Sequence, residues 1–418
     1  MTILAQIATV VGLISTAAWV YMAFYRGGFW KTGSQLPGHA RLQGRWPRIA
    51  VIVPARDEAA MLPLTLPSLL KQDYPGTFHV FVVDDNSDDA TADMAESIAA
   101  AENLSDHLTV ANARPTPDGW SGKLWALNEG LNATTGFRAR YLLLTDADIV
   151  HPADSLRKLV SHAVDSEYDT VSVMAKMPVT TGWEKLLLQA FVYFFAMLFP
   201  FGWVNNRERS EAAAAGGCLL VRRAALEDAG GFRAIAHRII DDCALAQAVK
   251  ARGGKTWIGF SHEVESLRSY GSLGDIWKMV ARSAYEQLRY SPLLLVGTVV
   301  GLGLLFGGPV FAAVSGAVLF GAQWPPDVLP MTAMTSGVVA WELMSNTFAP
   351  ILKLHGRGRE RGMVLPFIAA LYLLMTLDSA MRHHSGRGAS WKGQATRRME
   401  STGHETTGEP PTIEQKGD

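Results

Sequence analysis

The longest stretch of this chain without a charged side chain runs from Pro292 to Pro326, and it restricts what the C-terminal third can fold into. Two more apolar runs follow, Val328–Leu352 and Met363–Met381, each with a single charged residue. About 20 apolar residues in a helix are enough to cross the hydrocarbon core of a bilayer. Buried core helices are the alternative, but several such runs in succession favour membrane segments across residues 292–382.

A further apolar run, Ile3–Tyr25, lies at the N-terminus, and no charged residue occurs before Arg26. Its length fits a transmembrane helix over residues 1–25. A cleaved signal peptide is the alternative. We favour the uncleaved helix, because no Lys or Arg precedes the run and no clear small-x-small cleavage site follows it.

Positive charges predict the orientation of the chain in the membrane. None precedes the first helix, and several follow it: Arg26, Lys31, Arg41, Arg45 and Arg48. Because cytoplasmic segments carry the excess of Lys and Arg, we expect a multi-pass inner-membrane protein with its middle domain in the cytoplasm. Basic segments on both sides of Met363–Met381 also favour the cytoplasm, so one C-terminal segment is expected to be re-entrant or interfacial. The polar tail, residues 401–418, is predicted to be disordered.

Between residues 48 and 290, short apolar runs alternate with helical stretches. The predicted strands are Ile49–Val53, Phe78–Val83, Leu108–Ala111, Tyr141–Leu144 and Thr170–Val173. This pattern predicts an α/β, Rossmann-like domain with a mostly parallel sheet that helices cover on both faces. In such sheets ligands bind beyond the carboxyl ends of the strands, so functional residues are expected there.

Charge and cysteine content exclude some classes of protein. The formal net charge of −1 gives no basis for bulk electrostatic binding to nucleic acid. The two cysteines, Cys218 and Cys243, form neither a disulfide framework nor a zinc-binding pattern, which favours a reducing compartment.

Acidic residues gather after three of the predicted strands. The first strand is followed by the segment Pro54–Glu58, the second by Asp84–Asp89 and the fourth by Thr145–Asp148. Crowded carboxylates repel one another unless a cation or a donor-rich ligand is present, and a hard divalent ion such as Mg²⁺ or Mn²⁺ satisfies that need. We predict that Asp148 binds the metal of a diphosphate ligand and that Asp146 contacts the metal or an attached sugar.

Other candidate residues have a structural alternative. Asp84 and Asp85 can accept hydrogen bonds from a base N–H or from ribose hydroxyls. The same segment also favours an Asx-turn and a cap before the helix that begins at Thr91, and the two roles are compatible. Lys123 near a helix N-terminus suits a phosphate or is an ordinary solvated lysine. Asp241 or Asp242 is either the N-cap of the following helix or a general base that removes a proton from an attacking hydroxyl.

Taken in order, these motifs resemble family 2 glycosyltransferases over roughly residues 48–290. They are Val-Pro-Ala-Arg-Asp-Glu, Val-Val-Asp-Asp-Asn-Ser, Gly-Lys-Leu-Trp-Ala-Leu-Asn, Thr-Asp-Ala-Asp and Asp-Asp-Cys-Ala-Leu. The segment Arg282–Pro292 and the placement of the apolar runs make the chain look most like the hopene-associated glycosyltransferases of bacterial hopanoid biosynthesis.

The resemblance implies a GT-A fold and an inverting transfer from a nucleotide-sugar, most commonly a UDP-sugar in this family, to a lipid acceptor that is hopanoid-related in the closer group. It implies that Asp85 contacts the nucleoside, that Asp148 and Asp146 hold Mg²⁺ or Mn²⁺ beside the diphosphate, and that Asp242 is the catalytic base. The substrate-binding residues are then Pro54, Glu58, Asp84, Asp85, Lys123, Asp146, Asp241 and Arg289.

One motif departs from the family pattern. Processive polysaccharide synthases carry Gln-x-x-Arg-Trp before their membrane helices, whereas this chain has Glu286-Gln-Leu-Arg289-Tyr290. Arg289 can still meet a diphosphate. A processive synthase therefore remains the weaker alternative, together with a non-catalytic scaffold that binds sugar nucleotides.

The apolar segment between Trp183 and Trp203 lies inside the domain, between motif regions. A core helix is one interpretation. We favour an interfacial helix that shapes an entry for a lipid acceptor, because aromatic residues mark both of its ends.

Overall fold

The computed structural model describes residues 2–40, 42, 44–322 and 327–385, and the backbone of two short strands, Ser390–Trp391 and Gln394–Ala395. The tail predicted to be disordered, residues 401–418, lies outside the described residues. The α-helices, in chain order, are α1 (Thr2–Phe24), α2 (Leu62–Leu70), α3 (Thr91–Ala101), α4 (Gly122–Ala133), α5 (Ser155–Asp165), α6 (Gly182–Leu198), α7 (Phe201–Val204), α8 (Arg223–Asp228), α9 (Asp241–Ala251), α10 (Leu273–Gln287), α11 (Pro292–Leu302), α12 (Gly308–Gly321), α13 (Val328–Leu354) and α14 (Leu365–His384).

One eight-stranded sheet forms the centre of the middle domain. Its strands are β1 (Ile49–Ala55), β2 (Phe78–Asp84), β3 (Leu108–Asn112), β4 (Tyr141–Leu144), β5 (Ile149–Val150), β6 (Thr170–Lys176), β7 (Leu219–Arg222) and β8 (Thr256–Ser266). The order across the sheet is β3-β2-β1-β4-β7-β6-β8-β5, with β3, β2, β1 and β4 parallel to one another. The five predicted strands are confirmed, whereas β7, which runs antiparallel between β4 and β6, was not predicted.

Strand β1 shows how the sheet is covered on both faces. Ile49, Val51 and Val53 pack into a core with α2, α3 and α5, whereas Ala50 and Ile52 pack into a second core with α4, α8 and α9. This alternation follows from the two-residue period of a strand. The prediction of a mostly parallel sheet between two helical layers is thus confirmed.

Helix α4 approaches the sheet closely at Gly130. A Cβ atom there would lie 2.5 Å from Cγ2 of Ile52, so a larger residue would push the helix away. The helix begins after Ser121, whose side chain accepts a hydrogen bond from the N–H of Leu124. Lys123 therefore lies in the first turn of α4, where the helix starts beside the strand ends.

Three segments are long and apolar enough to cross a membrane, judged by length and composition: Thr2–Phe24, Pro292–Gly321 and Arg359–His384. The second comprises α11, a π-helical turn and α12. Helix α13, also predicted as a membrane segment, packs against α1 and α12 but is not among these spans. A Cβ atom on Gly337 would lie 2.3 Å from the backbone N of Ala313, so small residues bring α12 and α13 into close contact.

Helix α14 lies against the middle domain rather than apart from it. The Tyr372 hydroxyl donates to the carbonyl of Leu187 in α6 at 2.9 Å, and Trp277 Nε1 of α10 donates to Asp378 Oδ2 at 2.7 Å. Helix α6, the segment for which a core and an interfacial position were both considered, thus has one side covered by α14. Tyr193 also hydrogen bonds across to Thr347 of α13 at 2.8 Å.

Candidate active site

A cavity of about 880 Å³ opens at the carboxyl ends of the central strands. Its wall at the sheet edge carries charged side chains from the loops after β1, β4 and β8 and from helices α4 and α9: Glu58, Lys123, Asp146, Asp148, Asp242 and Arg268. Phe191 and Phe195 of α6 and Met279 of α10 form an apolar wall. A basic group from α10 and α14 also lines the cavity: Lys278, Arg282, Arg382 and His383.

Lys123 forms the first of two charged clusters, which we call the lysine cluster. Its Nζ lies 2.8 Å from Asp146 Oδ1 and 3.2 Å from Asp241 Oδ2. Asp242 completes the cluster, and a Cβ atom built on Gly216 would lie 3.3 Å from both Asp242 Oδ2 and Lys123 Nζ. One cation therefore faces three carboxylates in a confined space.

This imbalance changes the protonation of the cluster. Burial, and after it the charge on Asp241, raise the pKa of Asp242 to about 7, while Lys123 and the N–H of Cys243 oppose the shift. Burial also raises the pKa of Asp146, although Lys123 opposes that shift too. Burial works against the charge on Lys123, but its carboxylate neighbours hold its pKa above the ordinary value. Asp242 thus has a pKa suited to accepting a proton near neutral pH.

Arg268 forms the second cluster, the arginine cluster, with Asp148 and Glu58. Its Nε lies 2.6 Å from Asp148 Oδ2 and its Nη2 lies 2.6 Å from Glu58 Oε1. Both carboxylates are buried, whereas 40% of the Arg268 side chain is exposed to the cavity and solvent. The sequence analysis did not identify Arg268, which follows β8, a strand that it did not predict either.

Asp85 lies at the end of β2 and is fully buried. Arg56 Nη1 donates to the backbone carbonyl of Asp85 at 3.0 Å and lies 3.5 Å from its Oδ2. Oδ1 has no hydrogen-bond partner within the described part of the chain. Burial raises the pKa of Asp85 to about 6 against the effect of Arg56. An unpaired buried acceptor of this kind suits a ligand N–H or hydroxyl donor.

Asp84 has a different environment from its neighbour. Its Oδ1 accepts a hydrogen bond from the Ser87 hydroxyl, as expected for the turn that the sequence also suggested. Neither Asp84 nor Asp85 is among the residues that line the cavity. Any contact of these two residues with a ligand is therefore expected beyond the part of the site that holds the lysine and arginine clusters.

The residues present can accommodate a divalent ion, although within the described ranges no group of three or more His, Cys, Asp or Glu is placed to hold one. Mg²⁺ commonly uses one or two carboxylates together with substrate phosphates and water. Asp146 and Asp148 offer two such carboxylates at the cavity wall. Because Oδ2 of Asp148 already contacts Arg268, metal binding here would depend on oxygen atoms that a ligand supplies.

The structure brings most of the predicted site residues together. Pro54, near the end of β1, lines the cavity together with residues of the two clusters. Arg289 does not: it is exposed, has a positive φ of 52°, and is not among the lining residues. Arg282, about two helical turns earlier in α10, lines the cavity instead. Helix α10 ends at Gln287, before Arg289, and the next residue, Tyr290, lines the cavity although Arg289 does not.

A family model matches the middle domain of the chain, and several relatives match the chain over part of its length. A family model described as "Glycosyltransferase like family 2" matches residues 47–285. The chain is 27% identical over 206 residues to "Probable glycosyltransferase YdaM" of Bacillus subtilis, which covers 48% of this chain and 44% of that protein. It is 24% identical over 265 residues to "Beta-monoglucosyldiacylglycerol synthase" of Trichormus variabilis, and the match covers 58% of this chain and 53% of that protein. The chain thus spans about half the length of these curated relatives.

The fold is similar to that of a solved structure, the mannosyltransferase PcManGT from Pyrobaculum calidifontis in complex with GDP-Man and Mn²⁺. The TM-score is 0.54 at 20% sequence identity, over 90% of this chain and 99% of the other. The family match covers more than half of the chain, and the strand-end carboxylates lie at the sheet edge that the motifs predicted. The chain therefore belongs to the family 2-like glycosyltransferases and has a GT-A fold.

Proposed function

We propose that this protein is an inverting glycosyltransferase that moves a sugar from a nucleotide-sugar to the hydroxyl of a lipid acceptor at the cytoplasmic face of the inner membrane. One observation carries the proposal. A single cavity joins the carboxylates of the two clusters to an apolar wall that contains Phe191 and Phe195 of α6. A polar donor and an apolar acceptor can therefore meet in the same space.

Asp242 is the proposed base. As the acceptor oxygen attacks the anomeric carbon, its proton passes to the Asp242 carboxylate and the bond from that carbon to the diphosphate oxygen breaks. Attack opposite the leaving group inverts the anomeric configuration. A pKa of about 7 lets the carboxylate accept a proton near neutral pH and release it afterwards.

The leaving diphosphate needs positive charge as it departs. Arg268 and Lys123 line the cavity and present cationic donors toward it. A divalent ion bound through Asp148, with Asp146, would supply further charge to the diphosphate. Asp85, with its unpaired Oδ1, is the proposed contact for the nucleoside, and a uridine nucleotide is the proposed donor.

The lipid acceptor is proposed from three observations. Three segments are long and apolar enough to cross a membrane, the cavity has an apolar wall beside α14, and one relative is named as a glucosyldiacylglycerol synthase. Within this class we propose a hopanoid-related lipid, on the sequence resemblance stated above. We also retain the proposal of a multi-pass protein with its catalytic domain in the cytoplasm.

The test is to incubate membranes that contain the full chain with labelled UDP-sugars and to identify labelled lipids by mass spectrometry. We expect one sugar per lipid, with Asp242→Asn inactive. Asp228→Asn, at an exposed carboxylate on α8, is the matched control and should be as active as the wild type. Label in a long polymer would favour the processive alternative, and no transfer with any nucleotide-sugar would contradict the proposal.

A further inference from the structure

Glu286 stands where processive family members carry Gln, and it makes contacts that the sequence did not predict. Its side chain is buried near the C-terminal end of α10. Its carboxylate accepts a hydrogen bond from Arg238 Nε at 2.9 Å, and both of its oxygens lie 3.2 Å from the backbone N of Ile239. Glu286 therefore holds the loop that comes immediately before Asp241 and Asp242.

A backbone hydrogen bond reaches this loop from the start of α4, where Ser121 N–H donates to the Ala236 carbonyl at 2.8 Å. Helix α9 begins after Ile240, whose side chain cannot cap the helix, and in its first turn Asp242 Oδ1 accepts a hydrogen bond from the N–H of Cys243 at 2.7 Å. The hydrogen bond from Arg238 N to the Ile235 carbonyl, at 2.8 Å, is local. Among the described residues, the hydrogen bonds that reach Arg238 and Ile239 from another element come from Glu286. Bonds to a carboxylate are stronger than neutral ones, so this contact is well suited to fixing the loop.

Helix α10, which carries Glu286, is itself braced by α14. Trp277 donates to Asp378 near the start of α10, and the rings of Tyr290 and His383 stack beyond its end, with centroids 4.3 Å apart. Contacts thus run from α14 through α10 to the loop before α9.

We propose that Glu286 is a positioning residue that holds the loop before α9 and so sets the Asp242 carboxylate against the acceptor hydroxyl. The inference rests on the proposed function, in which Asp242 is the base. Glu286 and Ile239 also line the cavity, and the role proposed for Glu286 is exercised through its contacts with Arg238 and Ile239. Its loss should therefore slow the chemical step without weakening substrate binding.

The experiment measures kcat and both KM values for the full-length protein in membranes, with the labelled nucleotide-sugar that the wild type uses. Glu286→Ala should lower kcat by roughly 100-fold, because a small displacement of a catalytic group has a large effect on rate. The donor and acceptor KM values should stay within about twofold. Glu286→Gln should restore most of kcat, since its amide oxygen can accept from Ile239 N–H. Glu263→Ala, which removes a carboxylate paired with Lys158 outside the cavity, is the matched control.

If Glu286→Ala does not fold, as judged by its melting temperature, Arg238→Gln tests the same contact by changing the partner of Glu286. It should lower kcat by roughly tenfold with unchanged KM values. A wild-type kcat in Glu286→Ala or in Arg238→Gln overturns the inference, whereas a near-wild-type kcat in Glu286→Gln is expected. So does a raised KM at unchanged kcat, which would mean a direct substrate contact. Turnover by Asp242→Asn would instead contradict the proposed function, whatever Glu286 does.

Discussion

The lysine and arginine clusters differ in how many carboxylates share one cation. Lys123 faces Asp146, Asp241 and Asp242, whereas Arg268 forms two short contacts, each at 2.6 Å, with two carboxylates. The lysine cluster is therefore short of positive charge, and the pKa of Asp242 rises to about 7. This difference fits the roles proposed above, in which Asp242 of the lysine cluster accepts the proton and Asp148 of the arginine cluster binds the metal of the diphosphate.

The largest expected effect is that of Asp242→Asn. Removing the only proposed base should lower kcat by about 10³-fold, because general base catalysis contributes roughly 10² to 10⁴. Nucleotide-sugar affinity should be retained, since the amide has the same shape. The measurement is single-turnover transfer together with calorimetric binding of the donor. Retained turnover would remove Asp242 from the role of base.

Replacing the two cations tests the charge balance directly. Lys123→Met leaves three carboxylates without their shared cation and should reduce the free energy of unfolding by about 3 kcal/mol, the order expected when one member of a buried ion pair is removed. Arg268→Met leaves two carboxylates without their cation. It should reduce the free energy of unfolding by less, because the Arg268 side chain is 40% exposed whereas that of Lys123 is 20% exposed. Thermal melting in detergent measures both variants. A larger loss for Arg268→Met would contradict the comparison.

Asp148→Ala tests the assignment of the metal to the arginine cluster. We expect at least a tenfold loss, about the effect of disturbing a metal site, in the affinity for UDP measured with Mn²⁺. Affinity measured in EDTA should change much less, and Asp154→Ala, on the loop before α5, serves as a control outside the cavity. Equal affinities of the wild type and Asp148→Ala in Mn²⁺ would show that the assignment is wrong.

The pH dependence tests the proposed base without a substitution. Asp242 must be deprotonated to accept a proton, and its pKa is about 7 among Asp241, Lys123 and Asp146. The value of kcat/KM should therefore rise through pH 7 and fall about tenfold per unit below it. Profiles of kcat/KM from about pH 5 to 9 measure this rise. The residual activity of Asp242→Asn should not show it. A flat profile across neutral pH would argue against proton transfer to Asp242.

Sequence reasoning identified the strands and most carboxylates because both have local signals. An apolar run followed by acidic residues marks a strand end, and Asp146 and Asp148 were found in this way. Arg268 had no such signal, because it lies 120 residues from its partner Asp148 and follows an unpredicted strand. Arg289 was expected at the diphosphate from its motif position; it lies in the left-handed turn after α10 and is not among the residues that line the cavity, whereas Tyr290 is.

The sequence by itself determined the α/β domain, the apolar segments and the edge of the sheet where carboxylates gather. Parallel strands bring their carboxyl ends to one edge whatever the side chains around them, so this much follows from pattern alone. Only the tertiary structure decided which cation neutralises which carboxylate, and that Glu286 holds the loop before Asp242. These contacts join residues far apart in the chain, and packing between helices and loops fixes them rather than any local preference.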